Sequence, residues 1–361
     1  MPSYITYRYR LYPNQAQRRG IDTTISACRF LYNAMLTDKI NQYEHTGKVI
    51  SFPPDDYLSQ YPVLKEIDPG VLSYIQKRLE ADFKASDYAQ GKYPRFRKTK
   101  SRGSYIAIGA VLKGNRLALP KIGAVKVKVH RQAPNQKPLK TTIVRTAAGE
   151  YYVSFLYVCP ERNSHIFLPI TQELTLGLDF SVPKFYVDSD GNSPDHPHFQ
   201  EEALPQIKRM RAAMSRKQKG SASYEKLRRK LARLHQHTRN RRLDWLHKES
   251  RRLADRYDTI VTETLNIHAI AQTFHLGIRT LDNAYATFQQ MLAYKLKARG
   301  KHFYKLNPYT PSSQTCSQCG YINRNLTLSD RFWTCPKCGK LVPRDHNAAI
   351  NIKNRITRLH W

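Results

Sequence analysis

Four of the six cysteines fall in two pairs, Cys316-Ser-Gln-Cys319 and Cys335-Pro-Lys-Cys338, with 15 residues between the pairs. Two residues between paired cysteines let both thiolates reach one tetrahedral ion from a tight knuckle turn. Gly320 and Gly339 follow the pairs and permit the backbone to fold around the sulfurs. The separation falls in the zinc-ribbon window. Four sulfurs leave no open coordination position, so Cys316, Cys319, Cys335 and Cys338 are predicted to hold one structural Zn2+ and to take no part in catalysis. The competing reading, two redox dithiols, lacks a thioredoxin-like context. Nor is this the cysteine pattern of a secreted disulfide scaffold. Cys28 and Cys159 stand alone; the first reads as core and the second ends a strand, with no redox role for either.

Charge constrains the partner. Sixty Lys and Arg against 28 Asp and Glu give a net charge of +32. Such an excess repels itself in a compact fold, and a polyanion relieves it. Nucleic acid, bound through phosphate contacts and counterion release, is the expected partner. At 361 residues and 40% hydrophobic content the chain can bury the cores of two or three domains. The N-terminus lacks the apolar centre of a signal peptide, and no run of about 18 apolar residues occurs. A cytoplasmic protein without a membrane partner is expected. No internal repeat or low-complexity tract is visible.

Residues 4–12 alternate and read as a strand, broken by Pro13-Asn14. A helix over about 15–45 carries Ile21, Ile25, Cys28, Tyr32 and Met35 at helical spacing. A proline-rich loop over 50–69 leads to a second helix with Leu72, Ile75, Leu79 and Phe83 on one face. Residues 91–102 interleave rings and cations, which suits a nucleic-acid backbone or, more blandly, a solvated loop. Strands are predicted at Ser104–Ile108, Arg116–Leu119, Ala124–His130, Thr141–Arg145 and Tyr151–Val158. With 4–12 they suggest a small antiparallel barrel into which the two helices are inserted. Further on, strands at Leu174–Phe180 and Phe185–Asp188 precede a basic helical stretch over 206–257. Between Lys208 and Arg256 it holds 18 Lys/Arg and 4 Asp/Glu. Its apolar faces, Leu227/Leu231/Leu234 and Leu243/Leu246/Leu253, suggest a hairpin bent at Arg239–Arg242, with a polyanion along it. A strand at 259–263, a helix at about 283–299 stopped by Gly300, and a strand at 301–306 complete an α/β layer. The Asp195-His196-Pro197-His198 run reads as a polar loop before a metal site.

In so basic a chain, acids at strand ends stand out. Asp179 lies in the apolar strand Leu176-Gly177-Leu178-Asp179-Phe180, Glu263 ends the strand 259–262, and Asp345 sits where a helix begins. Carboxylates brought together repel unless divalent cations lie between them, and Mg2+ prefers oxygen ligands. A pair of such ions can activate water and hold a scissile phosphate. Each acid also has a local reading: Asp345 as a helix cap, Glu263 as an arginine partner, Asp179 as a turn carboxylate. Spacing alone does not bring the three together.

The order Gly-Leu-Asp-Phe-Ser, Val-Thr-Glu-Thr-Leu-Asn, Thr-Cys-Ser-Gln-Cys-Gly, Trp-Thr-Cys-Pro-Lys-Cys-Gly and Arg-Asp-His-Asn-Ala-Ala-Ile-Asn-Ile resembles the TnpB (OrfB) family of transposon-encoded proteins, relatives of type V CRISPR effectors. Arg10-Leu11-Tyr12-Pro13, Cys28-Arg29-Phe30-Leu31-Tyr32-Asn33, Pro94-Arg95-Phe96 and Leu119-Pro120-Lys121-Ile122-Gly123 extend the likeness over nearly the whole chain. It implies an RNA-guided, Mg2+-dependent DNA endonuclease with one RuvC site, a guide RNA transcribed from the transposon end, and a double-stranded DNA target beside a short motif. The carboxylates carried over are Asp179, Glu263 and Asp345, with two Mg2+ expected. The chain departs from the family pattern at Ser181, often Gly, and at Thr264, often acidic; neither removes a metal ligand. It ends at Trp361, where many relatives carry a tail that bears on guide handling.

The expected layout is multidomain α+β. A wedge-type β-barrel (1–13 and 91–170) holds an inserted helical recognition lobe (14–90). A RuvC/RNase H-like α/β nuclease (171–310 and 341–361) carries the basic hairpin 206–257 and is interrupted by a zinc ribbon (311–340). Lys92, Arg95, Arg97, Lys98, Arg228, Arg229, Arg241 and Arg242 are the expected nucleic-acid contacts. The rival readings are a nuclease-inactive RNA-guided repressor, a DNA transposase, and a zinc-ribbon chaperone without catalysis; monomer or dimer is left open.

Overall fold

A computed structural model describes residues 3–98, 102–159, 168–181, 183–264, 282–307, 311–327 and 329–357. The chain divides into two compact units, Met1–Arg162 and Asn163–Trp361.

In the first unit, β1 (Ser3–Tyr12) is followed by α1 (Gln15–Thr46) and α2 (Pro69–Lys84). Then come β2 (Gly103–Ile106), β3 (Val111–Lys113), β4 (Arg116–Leu119), β5 (Gly123–Lys128), β6 (Lys140–Arg145) and β7 (Tyr151–Cys159). Asn14 starts α1 through a capping box with Gln17, and Gly47, left-handed at φ 68°, ends it. The proline-rich stretch is not a plain loop: two 3-10 turns, Pro54–Tyr57 and Pro62–Glu66, bury Tyr57 and Leu64. The short β3 has no counterpart in the sequence reading.

The seven strands form one antiparallel sheet in the order β2-β6-β7-β1-β5-β4-β3. Strands β2 and β3 stand at opposite ends of this order, yet only residues 107–110 join them. Flat, seven strands would span about 29 Å between the outer ones. A link of that length reaches about 18 Å. The sheet must therefore curl. The expected barrel is seen as this curled sheet; among the described residues β2 and β3 do not pair. Both helices pack into the core of the curl, with Ile21, Ile25, Leu31, Met35, Leu72, Ile75 and Phe83 joining Tyr9, Leu11, Val125, Val153 and Phe155. Gly103 is required where α1 crosses β2, since a Cβ there would meet Ile25 Cγ2 at 2.3 Å.

The second unit holds β8 (Thr175–Ser181), β9 (Phe185–Asp188), α3 (Phe199–Ser215), α4 (Ala222–Arg256) and β10 (Thr259–Thr262). It continues with α5 (Tyr285–Lys297), β11 (His302–Lys305), β12 (Phe332–Thr334), β13 (Leu341–Pro343) and α6 (Arg344–Thr357). A mixed sheet runs β11-β10-β8-β9: β10 is parallel to β8 and β11, and β9 is antiparallel to β8. Every residue of β10 is buried because both sheet faces are covered. Ile260 packs with Leu246, Leu253, Phe288 and Leu292 of α4 and α5. Val261 packs with Ile352 and Ile356 of α6.

The basic helical hairpin exists, but its bend is not at Arg239–Arg242. That segment lies inside the 35-residue α4, since arginine is a good helix former and nothing there interrupts the backbone. The turn falls at 216–221, where Gly220 takes φ +90° and the Ser221 side chain accepts from the Tyr224 amide to start α4. Among the described residues no helix is long and apolar enough to cross a membrane.

Candidate active site and metal centre

Asp179 leaves β8 near the end of the strand, one residue before Phe180, whose amide donates to Glu263 Oε1 at 3.3 Å. Glu263 follows β10, the parallel neighbour of β8, so the two carboxylates emerge side by side. Asp345 enters from α6, which packs against β8 at Gly177. A Cβ at position 177 would lie 2.1 Å from the Ala349 carbonyl oxygen, so only glycine permits this approach. Gln289 of α5 fixes the end of β10 by donating to Thr262 Oγ1 (3.2 Å) and to the Glu263 carbonyl (3.0 Å). Below Asp179, Tyr285 donates to the Ser181 carbonyl at 2.8 Å.

The structure thus brings together the three acids the sequence singled out. Burial, and after it the charges of Glu263 and Asp345, hold the Asp179 carboxyl well above its ordinary range, while the Arg344 guanidinium pulls the other way. Burial pushes Glu263 up to about 7 against the opposing Phe180 amide. Asp345 is inside the first turn of α6. Its Oδ1 accepts from Arg344 Nε (3.2 Å) and Nη2 (3.1 Å), and Arg331 Nη1 stands 3.7 Å from Oδ2. Among the described residues only the four cysteines bring all their ligand atoms within 4.8 Å of one another. The oxygens of Asp179, Glu263 and Asp345 do not all come within that distance of one another. The sequence reading missed Arg331, Arg344 and Gln289; the arginine next to Asp345 in Arg-Asp-His-Asn was the available signal.

The cysteines form two similar knuckles. The Gly320 amide donates to the Cys316 carbonyl (2.9 Å) and the Gly339 amide to the Cys335 carbonyl (2.8 Å), with both glycines at positive φ. Cys316 and Cys338 sulfurs are 3.8 Å apart, and those of Cys319 and Cys335 are 3.5 Å apart. A tetrahedral ion with bonds of about 2.3 Å needs sulfurs about 3.8 Å apart, so this donor set fits zinc. Burial raises the Cys335 thiol, but the amides of Cys338 and Lys337 and the sulfurs of Cys319 and Cys338 outweigh it and bring it down to about 7. The ribbon is tied to the acidic site through α6. Asn347 Oδ1 accepts from the Ser317 amide (2.8 Å) and its Nδ2 donates to the Thr315 carbonyl (2.7 Å). Asn351, one turn on, donates to the carbonyls of Thr315 (2.6 Å) and Ser312 (2.8 Å). These paired asparagines also escaped the sequence reading.

Six of the eight expected nucleic-acid contacts meet partners within the chain. Arg97 lies 3.5 Å from the Tyr32 ring centre and 3.8 Å from Asp82; Lys92 pairs with Asp87 at 3.3 Å. Arg95 and Lys98 are exposed. Arg228 pairs with Glu225, Arg241 with Glu202 and Arg242 with the buried Asp282, while Arg229 donates to the Glu225 carbonyl. A basic face not foreseen lies on the curled sheet. Arg10 is opposite Lys128, Tyr12 opposite Lys126, and Arg116 opposite both Lys126 and Lys113. Arg8 stacks on Tyr152 at 4.1 Å. Glu150 pairs with Arg10 and offsets the repulsion there; the like charges of Arg116 opposite Lys126 and Lys113 repel, and a polyanion removes that cost. The alternation of Arg8, Arg10 and Tyr12 in β1 was its sequence signal. A cavity of about 1530 Å³ opens beside this face, with Tyr12, Lys126, Lys128 and Lys137 in its lining.

Cys28 is buried core, its thiol pushed up to about 12 by burial. The 195–198 run is a loop, as expected, with Asp195 and Pro197 exposed, but one of its side chains turns inward. His196 is buried and stacks on Phe185 (centroids 5.0 Å), and burial, His198 and Arg242 lower it to about 4. Leu265 and Asn266 of the Val-Thr-Glu-Thr-Leu-Asn segment lie outside the described residues.

Three family profiles match the chain: a helix-turn-helix domain of the OrfB/IS605 type at residues 1–48, OrfB_IS605, described as "Probable transposase", at 168–273, and the Cas12f1-like TNB domain at 285–352. A Streptomyces pristinaespiralis protein named "Putative RNA-guided DNA endonuclease" is 28% identical over 358 residues, covering 96% of this chain and 88% of that protein. The CRISPR-associated endodeoxyribonuclease Cas12f1 of Sulfoacidibacillus thermotolerans is 27% identical over 237 residues, 59% of this chain and 56% of that one. The fold resembles Cas12f1 as seen in a cryo-EM complex with sgRNA and target DNA, with TM-score 0.59 at 13% identity over 98% of this chain and 99% of the other. Profiles and relatives alike make the chain similar to the TnpB (OrfB) proteins associated with transposons and to type V CRISPR effectors.

Proposed function

We propose that this protein is an RNA-guided DNA endonuclease whose hydrolytic site is Asp179, Glu263 and Asp345. The convergence of three carboxylates, from strand ends and a helix start far apart in sequence, carries the reading. Their mutual repulsion inside a chain of charge +32 calls for bound cations. Relatives named as RNA-guided DNA endonucleases support the guide and the DNA substrate. In this reading the curled sheet is a wedge barrel (1–13 and 91–170) with the helical recognition lobe 14–90 inserted. The mixed sheet is the RuvC/RNase H-like nuclease (171–310 and 341–361), with the α3–α4 hairpin and the zinc ribbon 311–340 as its insertions. A guide from the transposon end pairs with one strand of double-stranded DNA, and the protein acts in the cytoplasm where that DNA lies. The basic face around Arg10, Arg116, Lys126 and Lys128 grips phosphate, as do Arg95 and Lys98.

The four cysteines hold one structural Zn2+. Asp179, Glu263 and Asp345 would hold two Mg2+, which would supply an activated water and stabilise the leaving oxygen. The chain's own part is to orient the ligands. The Phe180 amide fixes one oxygen of Glu263, Gln289 fixes the strand end that carries it, and the ribbon anchors the helix that carries Asp345.

The test is purification with co-expressed flanking RNA, sequencing of what stays bound, and cleavage of a matched DNA library with Mg2+, wild type beside Asp179→Ala. Guided cutting that vanishes in the variant supports the proposal. Target binding without cutting by the wild type points to a repressor. The absence of any defined RNA overturns the guided reading.

A further inference from the structure

Arg344 stands at an unusual place for a cation. Its side chain is 14% exposed, and two of its nitrogens bond Asp345 Oδ1, while Arg331 faces Oδ2. Its charge also reaches Asp179 and Asp330. Both oxygens of one proposed metal ligand are therefore turned toward guanidinium groups. A divalent ion bonded to Asp345 at about 2.1 Å would stand only a few ångströms from the Arg344 guanidinium. Two cations so close in a half-buried site repel strongly.

We propose that Arg344 is an internal lock on the metal site: it holds Asp345 in the free protein, competes with the divalent ion, and is drawn off by a phosphodiester when nucleic acid arrives. The inference rests on the triad reading above. The chemistry of the switch is an exchange of anions. A guanidinium that bonds one carboxylate oxygen through two nitrogens can bond a phosphate through the same fork. Release then offers Asp345 to the ion at the moment a substrate phosphate is present to complete its coordination. Arg331, 57% exposed and farther from the carboxylate, is the weaker competitor. Arg344 is a positioning residue here, since it acts through Asp345.

The experiment measures Mn2+ binding by EPR to the zinc-loaded full chain without nucleic acid, comparing wild type, Arg344→Gln, Arg344→Lys and Asp179→Asn. Arg344→Gln is expected to bind Mn2+ at least tenfold more tightly than wild type, with Arg344→Lys close to wild type and Asp179→Asn losing the site. Equal or weaker binding by Arg344→Gln, with the site still lost in Asp179→Asn, overturns the lock and leaves the triad standing. Binding that is unaffected by Asp179→Asn overturns the triad reading and the lock with it. Circular dichroism establishes that each variant is folded.

Discussion

Replacing Glu263 by glutamine should stabilise the metal-free protein, and only at neutral to alkaline pH. Glu263 is pushed from 4.5 to about 7 by burial. An acid whose folded pKa is raised binds more protons in the folded state, so stability falls as pH rises. Below 4.5 both states are protonated and nothing is lost. The cost grows between 4.5 and about 7 and is complete above that. The full shift is worth on the order of 3 kcal/mol, and water reaching the half-buried group reduces this to about 2 kcal/mol. The glutamine side chain would retain an acceptor for the Phe180 amide, so the substitution removes charge and keeps the hydrogen bond. At about 2–4 °C per kcal/mol for a unit of this size, Tm at pH 8 should rise by roughly 4–8 °C. The assay is calorimetry on zinc-loaded protein dialysed free of other divalent ions, at pH 5 and pH 8. Saturating Mg2+ should raise the wild type more than Glu263→Gln and narrow the gap. A variant no more stable than wild type at pH 8, or equally favoured at both pH values, refutes the reasoning.

Other perturbations probe other parts of the molecule. Asp179→Ala or Asp345→Ala should reduce guided DNA cleavage by at least a thousandfold while leaving RNA binding within about twofold, read from cleavage and filter-binding assays on one preparation. Gly177→Ala should cost about 3 kcal/mol or more, because its Cβ cannot sit 2.1 Å from the Ala349 carbonyl without displacing α6; a variant with wild-type Tm and activity contradicts the close approach. Cys335→Ser should release zinc and lower both Tm and cleavage, whereas purely local loss of the ribbon would leave cleavage intact. Arg116→Glu with Lys126→Glu should weaken RNA binding and flatten its salt dependence, the slope of log K against log salt falling by about one for each phosphate no longer engaged.

What the sequence made legible follows physical range. The strands and helices with strong periodicity, such as β1, α1, α2 and β10, need only local patterning, and the structure places them within a few residues of expectation. The cysteine knuckles are likewise local, since two residues of spacing set each pair. The hairpin bend was misread because leucine spacing changes phase along α4 without breaking it, whereas Gly220-Ser221 carries the real chain reversal. Of the basic cross-strand face only the alternation in β1 was legible, because Arg10 and Lys128, or Lys113 and Arg116, become neighbours through register, which single-strand patterning does not reveal. Cation-rich segments misled in the opposite sense. Arg97 and Arg242 look free in one dimension and are committed to Tyr32, Asp82 and Asp282 in three.

The acidic site shows how a strictly local motif acquires long-range purpose. In Arg344-Asp345-His346-Asn347, continued to Asn351, successive side chains serve different neighbours. Arg344 holds Asp345, the Asp345 charge reaches Asp179, and His346 lies 3.2 Å from the Ser189 carbonyl. Asn347 and Asn351, one helical turn apart, grip the chain entering the first cysteine knuckle. The opposite face of the same helix packs Ile352 on Val261, next to the strand end that bears Glu263. Metal held by the four cysteines would therefore order the segment that α6 grips, and α6 carries Asp345. If the four cysteines hold zinc and Asp345 serves the proposed nuclease site, a zinc site with no open coordination position would govern catalysis without touching substrate, because it would set where Asp345 stands.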